Sequence, residues 1–181
     1  MSINQTNKKW SKQSHFASVP KAEIQRSTFD RSHTHKTTMN AGEIVPIFLD
    51  EILPGDTFTL NQSTFARMAT PLAPIMDNAK MTMHYFAVPL RLIWDNFQKF
   101  MGEQEKPGDS TDFLVPQTHS IGSDLSDYMG IPPGYDGPVN SLHHRAYNLI
   151  YNEFYRDQNL IDPVDVPTDD GPDPSQTYSL L

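Results

Sequence analysis

A mainly β fold, a sandwich or barrel with long connections and two inserted helices, is what this sequence predicts. Three observations carry that reading. Fifteen prolines are spread through 181 residues, leaving few stretches for long helices, because proline lacks the N–H and its ring clashes with the preceding turn. Extended runs of β-branched and aromatic residues are bounded by turn-forming strings. Helical periodicity of apolar residues appears in only two places, which argues against alternating βαβ units.

Residues 1–25 are polar, basic and poor in aliphatic side chains. Such a composition cannot bury enough surface to offset its ordering entropy, so a flexible arm is expected there. Residues 26–181 should form the folded part. Glu43 to Leu49 reads as a strand, Leu53-Pro54-Gly55-Asp56 as a turn and Thr57 to Leu60 as a second strand; Pro46 makes the first an edge or bulged strand. The clearest strand is Lys80 to Val88. Met81, Met83, Tyr85 and Ala87 alternate there with Thr82, His84, Phe86 and Val88, a pattern expected to be buried on both faces.

Pro89 ends that strand, and Leu90, Trp94, Phe97 and Met101 recur at helical spacing, predicting a helix over 90–101 that stops before Gly102. Gly102 to Pro138 is a long connection with turn strings at Lys106-Pro107-Gly108-Asp109 and Ile131-Pro132-Pro133-Gly134 and at most a short helix near Ser123 to Met129. A second helix is predicted over 141–156, capped by Asn140 or Ser141. Its apolar face is Leu142, Ala146, Leu149, Ile150 and Phe154, with Tyr147, Tyr151 and Tyr155 along one flank as a half-buried packing edge. The stretch 157–174 holds six aspartates, four prolines and no basic residue. It reads as a solvated acidic loop.

Absence of cysteine removes a disulfide scaffold, a thiolate metal site and a cysteine nucleophile together. No apolar run is long enough to cross a membrane, and no apolar core follows the N-terminal lysines to suggest a secretory signal. His33 and His35 would share a face if extended, but no third metal ligand is indicated, and the adjacent His143 and His144 diverge on a helix. Asp165, Asp169, Asp170 and Asp173 offer the oxygens calcium prefers without the spacing of a calcium loop. Neither a nucleophile elbow nor a glycine-rich phosphate cradle is present. No enzymatic site emerges, and no cofactor is implied.

Net charge is −8, unevenly placed: residues 1–40 carry Lys8, Lys9, Lys12, Lys21, Arg26, Arg31 and Lys36 against Glu23 and Asp30. That segment is therefore +5 and the other 141 residues are −13. With Trp10, Phe16 and Phe29 the arm combines phosphate neutralisation and base stacking, the ingredients of weak, salt-sensitive single-strand binding. A single-stranded DNA-binding module acting through this arm is thus one reading of the chain.

A longer string of residues points elsewhere. The segments RSHTHKTTMNAGEIVPIFLDEILPGDTF, FARMATPLAPIMDN, YFAVPLRLIWDNFQKFMGE and the tail PVDVPTDDGPDPSQTYSLL resemble, in family order, the N-terminal portion of the major capsid protein of microviruses of the gokushovirus type. The resemblance implies a viral jelly roll, incomplete in this chain, and a structural subunit that self-assembles into a small icosahedral (T=1) bacteriophage shell around circular single-stranded DNA. It implies no catalytic residues. Expected partners are other copies of the chain, other virion proteins and the genome, through weak non-specific contacts of the basic arm, with no membrane. The location implied is the virion, assembled in the host bacterial cytoplasm. Trp94, Phe97, Tyr147, Tyr151 and Tyr155 are the aromatic candidates for assembly or packing.

Overall fold

The computed structural model describes residues 25–119 and 123–173. The chain divides into two units, Met1–Thr34 and His35–Leu181. In the described part of the first, Asp30 accepts hydrogen bonds from the hydroxyl and the backbone N–H of Ser32. These bonds hold its carboxyl below the usual range.

The second unit begins with a stretch that has no helix or strand. The Leu53 to Asp56 turn forms where the sequence places it, with Asp56 N–H donating to the Leu53 carbonyl at 3.1 Å and the Asp56 carboxylate accepting from Leu53 N–H. Lys106 to Asp109 repeats this arrangement with the same Pro-Gly-Asp residues. An aspartate closing the turn on itself explains both.

Residues 80–88 keep the predicted alternation but not the predicted burial. Tyr85 reaches Gln62 and the edge of Phe48, whereas His84 and Phe86 pack on Tyr155 and Phe154. No strand pairs with this segment among the described residues, and Met81, Tyr85 and Phe86 remain exposed. A ladder needs a partner, and alternation alone does not supply one. Glu43 to Leu49 and Thr57 to Leu60 likewise join no ladder among the described residues. Among the described residues the paired strands are β1, Gln117–Thr118, and β2, Val139–Asn140, antiparallel with Gln117 opposite Asn140.

The predicted helix over 90–101 is broken into a 3-10 turn at Leu90–Leu92 and a short helix α1, Phe97–Phe100. In an unbroken helix Asp95 N–H would bond four residues back. It bonds instead to the Thr168 carbonyl at 2.9 Å, so the returning chain interrupts the helix. Helix α2, Asp124–Tyr128, lies where the short helix was expected, with the Ser123 hydroxyl accepting from Ser126 N–H as its cap. Gly102 and Gly130 end α1 and α2 in the same way. Each sits at positive φ, and the paired bonds Gly102 to Lys99 with Glu103 to Gln98, and Gly130 to Asp127 with Ile131 to Ser126, close the last turns.

Helix α3, Leu142–Ile150, is the longest described element and runs directly into a π turn, Tyr151–Tyr155. Leu142 N–H is capped by the Asn140 side chain at 2.9 Å. Leu142, Ala146 and Leu149 face Ile93 and Trp94 to form the main core, joined by Val88, Leu90, Phe97, Val115 and Val166. A second, smaller cluster joins Leu125 of α2 and Tyr147 of α3 to Ile44 and Met129. The π turn carries Arg156 N–H to the Tyr151 carbonyl, five residues back. That extra residue rotates Phe154 off the predicted stripe, leaving it 57% exposed against Phe86.

The α2 ending supplies a test of this local reading. A Cβ at Gly130 meets no atom within 4 Å, so Gly130→Ala should cost only the left-handed backbone penalty, about 1 kcal/mol in chemical denaturation. Gly130→Asn should recover part of that loss.

Candidate functional site

The stretch 157–174 was expected to be solvated, and its end is not. From Thr168 to Asp173 it is laced onto the rest of the second unit through backbone and side-chain bonds. Thr168 returns the bond from Asp95 through its hydroxyl, at 2.9 Å. The Asp170 carboxylate accepts from Trp94 Nε1 at 2.6 Å and from Leu114 N–H at 3.1 Å. Asp173 N–H donates to the Gln117 carbonyl of β1 at 2.8 Å.

At the centre lies Arg145, on the same side of α3 as the apolar stripe. Its side chain and that of Asp173 are each only 1% exposed. Arg145 Nε and Nη2 donate to the two Asp173 oxygens at 3.0 and 2.5 Å, Nη1 donates to the Ile93 and Asp169 carbonyls, and Nη2 donates also to the Asp169 carbonyl. Its donors thus meet three acceptor groups on two separate segments. A guanidinium is suited to this because its planar fork presents five fixed N–H groups, whereas an ammonium offers three on a flexible stem.

Electrostatics follow from these partners. Burial pushes the Asp170 carboxyl up, but hydrogen bonds from Trp94, Asn96 and Leu114 and the charge of Lys99 outweigh it and hold the group below its usual range. His144, next to Arg145, is 1% exposed, with Nε2 3.0 Å from the Ser126 hydroxyl. Desolvation lowers its pKa to about 4, with the charge of His143 adding to the effect and that of Asp173 opposing it. Tyr155, whose hydroxyl lies 2.7 Å from His84 Nδ1, is pushed up by desolvation.

The sequence-predicted residues are distributed as follows. Trp94 and Tyr147 are buried, the latter donating to the Ile44 carbonyl, and Phe97, Tyr151 and Tyr155 are half-buried. Trp94, Phe97, Tyr147 and Tyr155 pack within the chain, with Phe86, Phe100, Phe113 and Phe154 among the aromatics left exposed around them. Of the calcium candidates, Asp170 and Asp173 are committed to Trp94 and Arg145, while Asp165 and Asp169 are exposed. His33 Nδ1 lies 3.0 Å from the Arg31 carbonyl, and His35 lines a cleft of about 440 Å³ with Lys36, Glu43, Asp124, Asp127 and Tyr128. No group of three or more metal-ligating side chains exists among the described residues. Lys8, Lys9, Lys12 and Lys21 lie outside the described residues; Arg26, Arg31 and Lys36 are exposed.

Sequence reasoning missed Arg145 and weighed His144 only as a metal ligand, setting it aside. The signal was there: Arg145 falls three residues after Leu142 and four before Leu149, a charge within an apolar stripe, and the aspartates downstream have no basic neighbour. Removing one partner of a buried pair strands the other, at about 3–5 kcal/mol. Arg145→Met should therefore destabilise by that amount in urea unfolding. Arg145→Lys should fall between, and a loss below about 1 kcal/mol for the Met variant would contradict the role given to the clasp.

Residues 17–181 match the family model described as capsid protein (F protein). The chain is 46% identical over 172 residues to the capsid protein VP1 of Bdellovibrio phage phiMH2K, covering 92% of this chain and 32% of that protein. It is 43% identical over 169 residues to capsid protein VP1 of Chlamydia phage 1, covering 86% of this chain and 28% of that protein. With capsid protein VP1 of Spiroplasma virus 4 it shares 34% identity over 144 residues, 76% of this chain and 26% of that protein. The chain thus spans about a third of the length of the curated relatives it matches. It belongs to the capsid protein (F protein) family.

Proposed function

We propose that this chain is part of a structural capsid subunit, assembling with other copies and other virion proteins into a small icosahedral bacteriophage shell around single-stranded DNA. The subunit fold is a jelly roll, and the role is structural, not enzymatic. Assembly takes place in the host bacterial cytoplasm. The basic residues of 1–40 make the weak, non-specific contacts to the genome.

One observation carries the reading furthest beyond family membership. Between Phe48 and Phe86 large apolar side chains stand exposed one after another, with Phe65 at 91%, Leu72 at 110% and Met76 at 95%. Water-soluble monomers rarely leave apolar patches of that extent uncovered. Backbone in the same region that joins no ladder among the described residues is a template for further strands. Both are accounted for if these segments are covered by polypeptide other than these 181 residues, in the same subunit or in neighbouring ones. No helix among the described residues is long and apolar enough to cross a membrane.

Expression in bacteria of the reading frame that carries these residues should give closed particles in electron micrographs, sedimenting as large assemblies and retaining single-stranded DNA. Soluble monomers alone, across salt and pH, would overturn the proposal.

A further inference from the structure

We propose that Asp136–Gly137 is a site of spontaneous covalent modification, where the main chain rearranges through a cyclic imide to isoaspartate, while the same tripeptide at Asp170–Gly171 is held unreactive by the fold. The product belongs to the chemical class that isoaspartyl methyltransferases take as substrate, and the inference does not depend on the capsid reading.

Asp-Gly-Pro occurs twice, at 136–138 and at 170–172. The reaction begins when the glycine amide nitrogen attacks Cγ of the preceding aspartic acid. A bond forms between that nitrogen and Cγ, the Cγ–OH bond breaks, and the hydroxyl leaves with the amide proton as water. Water then opens the ring by cleaving the nitrogen from the aspartate main-chain carbonyl carbon. The main chain now runs through the former side chain, and the mass is unchanged. Glycine favours the first step because it has no Cβ to hinder the nitrogen, and the proline that follows restricts both glycines alike. Local sequence thus makes the two pairs equally reactive, and any difference between them comes from the fold.

Asp170 is pinned. Its carboxylate accepts from Trp94 Nε1 at 2.6 Å and from Leu114 N–H at 3.1 Å, so it is not free to swing onto the Gly171 nitrogen. Against the effect of burial, hydrogen bonds from Trp94, Asn96 and Leu114 and the charge of Lys99 also keep it ionised. Ring closure needs the neutral acid, because the leaving oxygen must carry a proton. Asp136 has neither restraint. It is exposed, belongs to no helix or strand, and directly follows the turn in which Tyr135 N–H donates to the Pro132 carbonyl at 3.2 Å. Its carboxylate accepts no hydrogen bond among the described residues. A side chain on Gly137 would collide with the Tyr135 ring, so glycine is the residue this position takes, and its unhindered amide comes with it.

The modification adds one main-chain atom just before β2. Val139 and Asn140 are paired with Thr118 and Gln117, and Ser141 N–H reaches the Pro116 carbonyl at 3.1 Å. The extra length is therefore taken up in 131–138, and α3 keeps its place.

Incubating the full chain for several weeks at neutral pH and physiological temperature, both native and in guanidinium, tests this. Peptide mapping with electron-transfer fragmentation locates isoaspartate, and labelled methyl transfer from S-adenosylmethionine by an isoaspartyl methyltransferase counts it. In the native chain isoaspartate should accumulate at 136 at least about tenfold faster than at 170, since releasing even one hydrogen bond to a charged carboxylate costs about that factor. In guanidinium the two rates should converge. Asp136→Glu should remove most of the native methyl acceptance, because the six-membered imide closes far more slowly. Equal native rates at the two pairs, a faster reaction at 170, a native chain inert at both, or a difference that persists in guanidinium would each overturn the proposal.

Discussion

A guanidinium cannot sit in a protein interior without acceptors for its N–H groups, and the segments around Ile93 and Asp169 to Asp173 converge on α3 in meeting that need for Arg145. The carbonyls of Ile93 and Asp169 and the carboxylate of Asp173 come from two segments far apart in sequence from α3. Once they converge, neighbouring bonds follow. Asp173 N–H reaches β1, Asp170 caps the Trp94 indole, Thr168 ties down Asp95, and Ser141 N–H reaches the Pro116 carbonyl. The apolar cluster of Ile93, Trp94 and Leu142 then closes over the same segments. Hydrophobic burial supplies most of the driving force in such a cluster, whereas the buried pair fixes which segments meet.

Much of the preceding stretch, residues 48–86, has no comparable centre. Its apolar residues point outward, its extended segments find no ladder, and what order it has comes from local turns such as Leu53 to Asp56. Under the proposed capsid role this division is physically sensible. One region carries a dense polar and apolar core, whereas the other leaves its apolar side chains exposed. The sharp change in burial between the two regions agrees with a chain that matches about a third of the length of its relatives.

How much of this was legible in the sequence depended on the range of the interaction. The turns at Leu53 to Asp56 and Lys106 to Asp109, the short helix near Ser123 to Met129 and the existence of α3 are set by residues within a few positions of one another, and pattern reading found them; the Ser123 cap and the ending at Gly130 it did not name. The side-chain alternation of 80–88 was also readable, because it needs only extended backbone. Its pairing and burial were not, since these depend on a partner that periodicity does not specify. The break in the 90–101 helix arises from a bond between Asp95 and Thr168, separated by 73 residues, and no local pattern announces that. The acidic stretch misled for a related reason: without Arg145 in view, Asp170 and Asp173 look like solvated carboxylates. Among the assembly candidates, Trp94 and Tyr147 are spent inside the chain for the same reason that made them conspicuous, their large apolar area.

If Arg145 is the point on which the second unit is organised, its partner segments must come loose together. Residue-resolved hydrogen exchange on Arg145→Lys tests this most directly, through the amides of Asp95, Leu114 and Asp173, which bond to Thr168, Asp170 and Gln117 respectively. Loss of protection by a common factor at all three is the result the clasp predicts. Separate behaviour, with Asp95 and Leu114 retaining wild-type protection while Asp173 alone is exposed, would show that the segments are held independently and that the clasp is only one local contact among several.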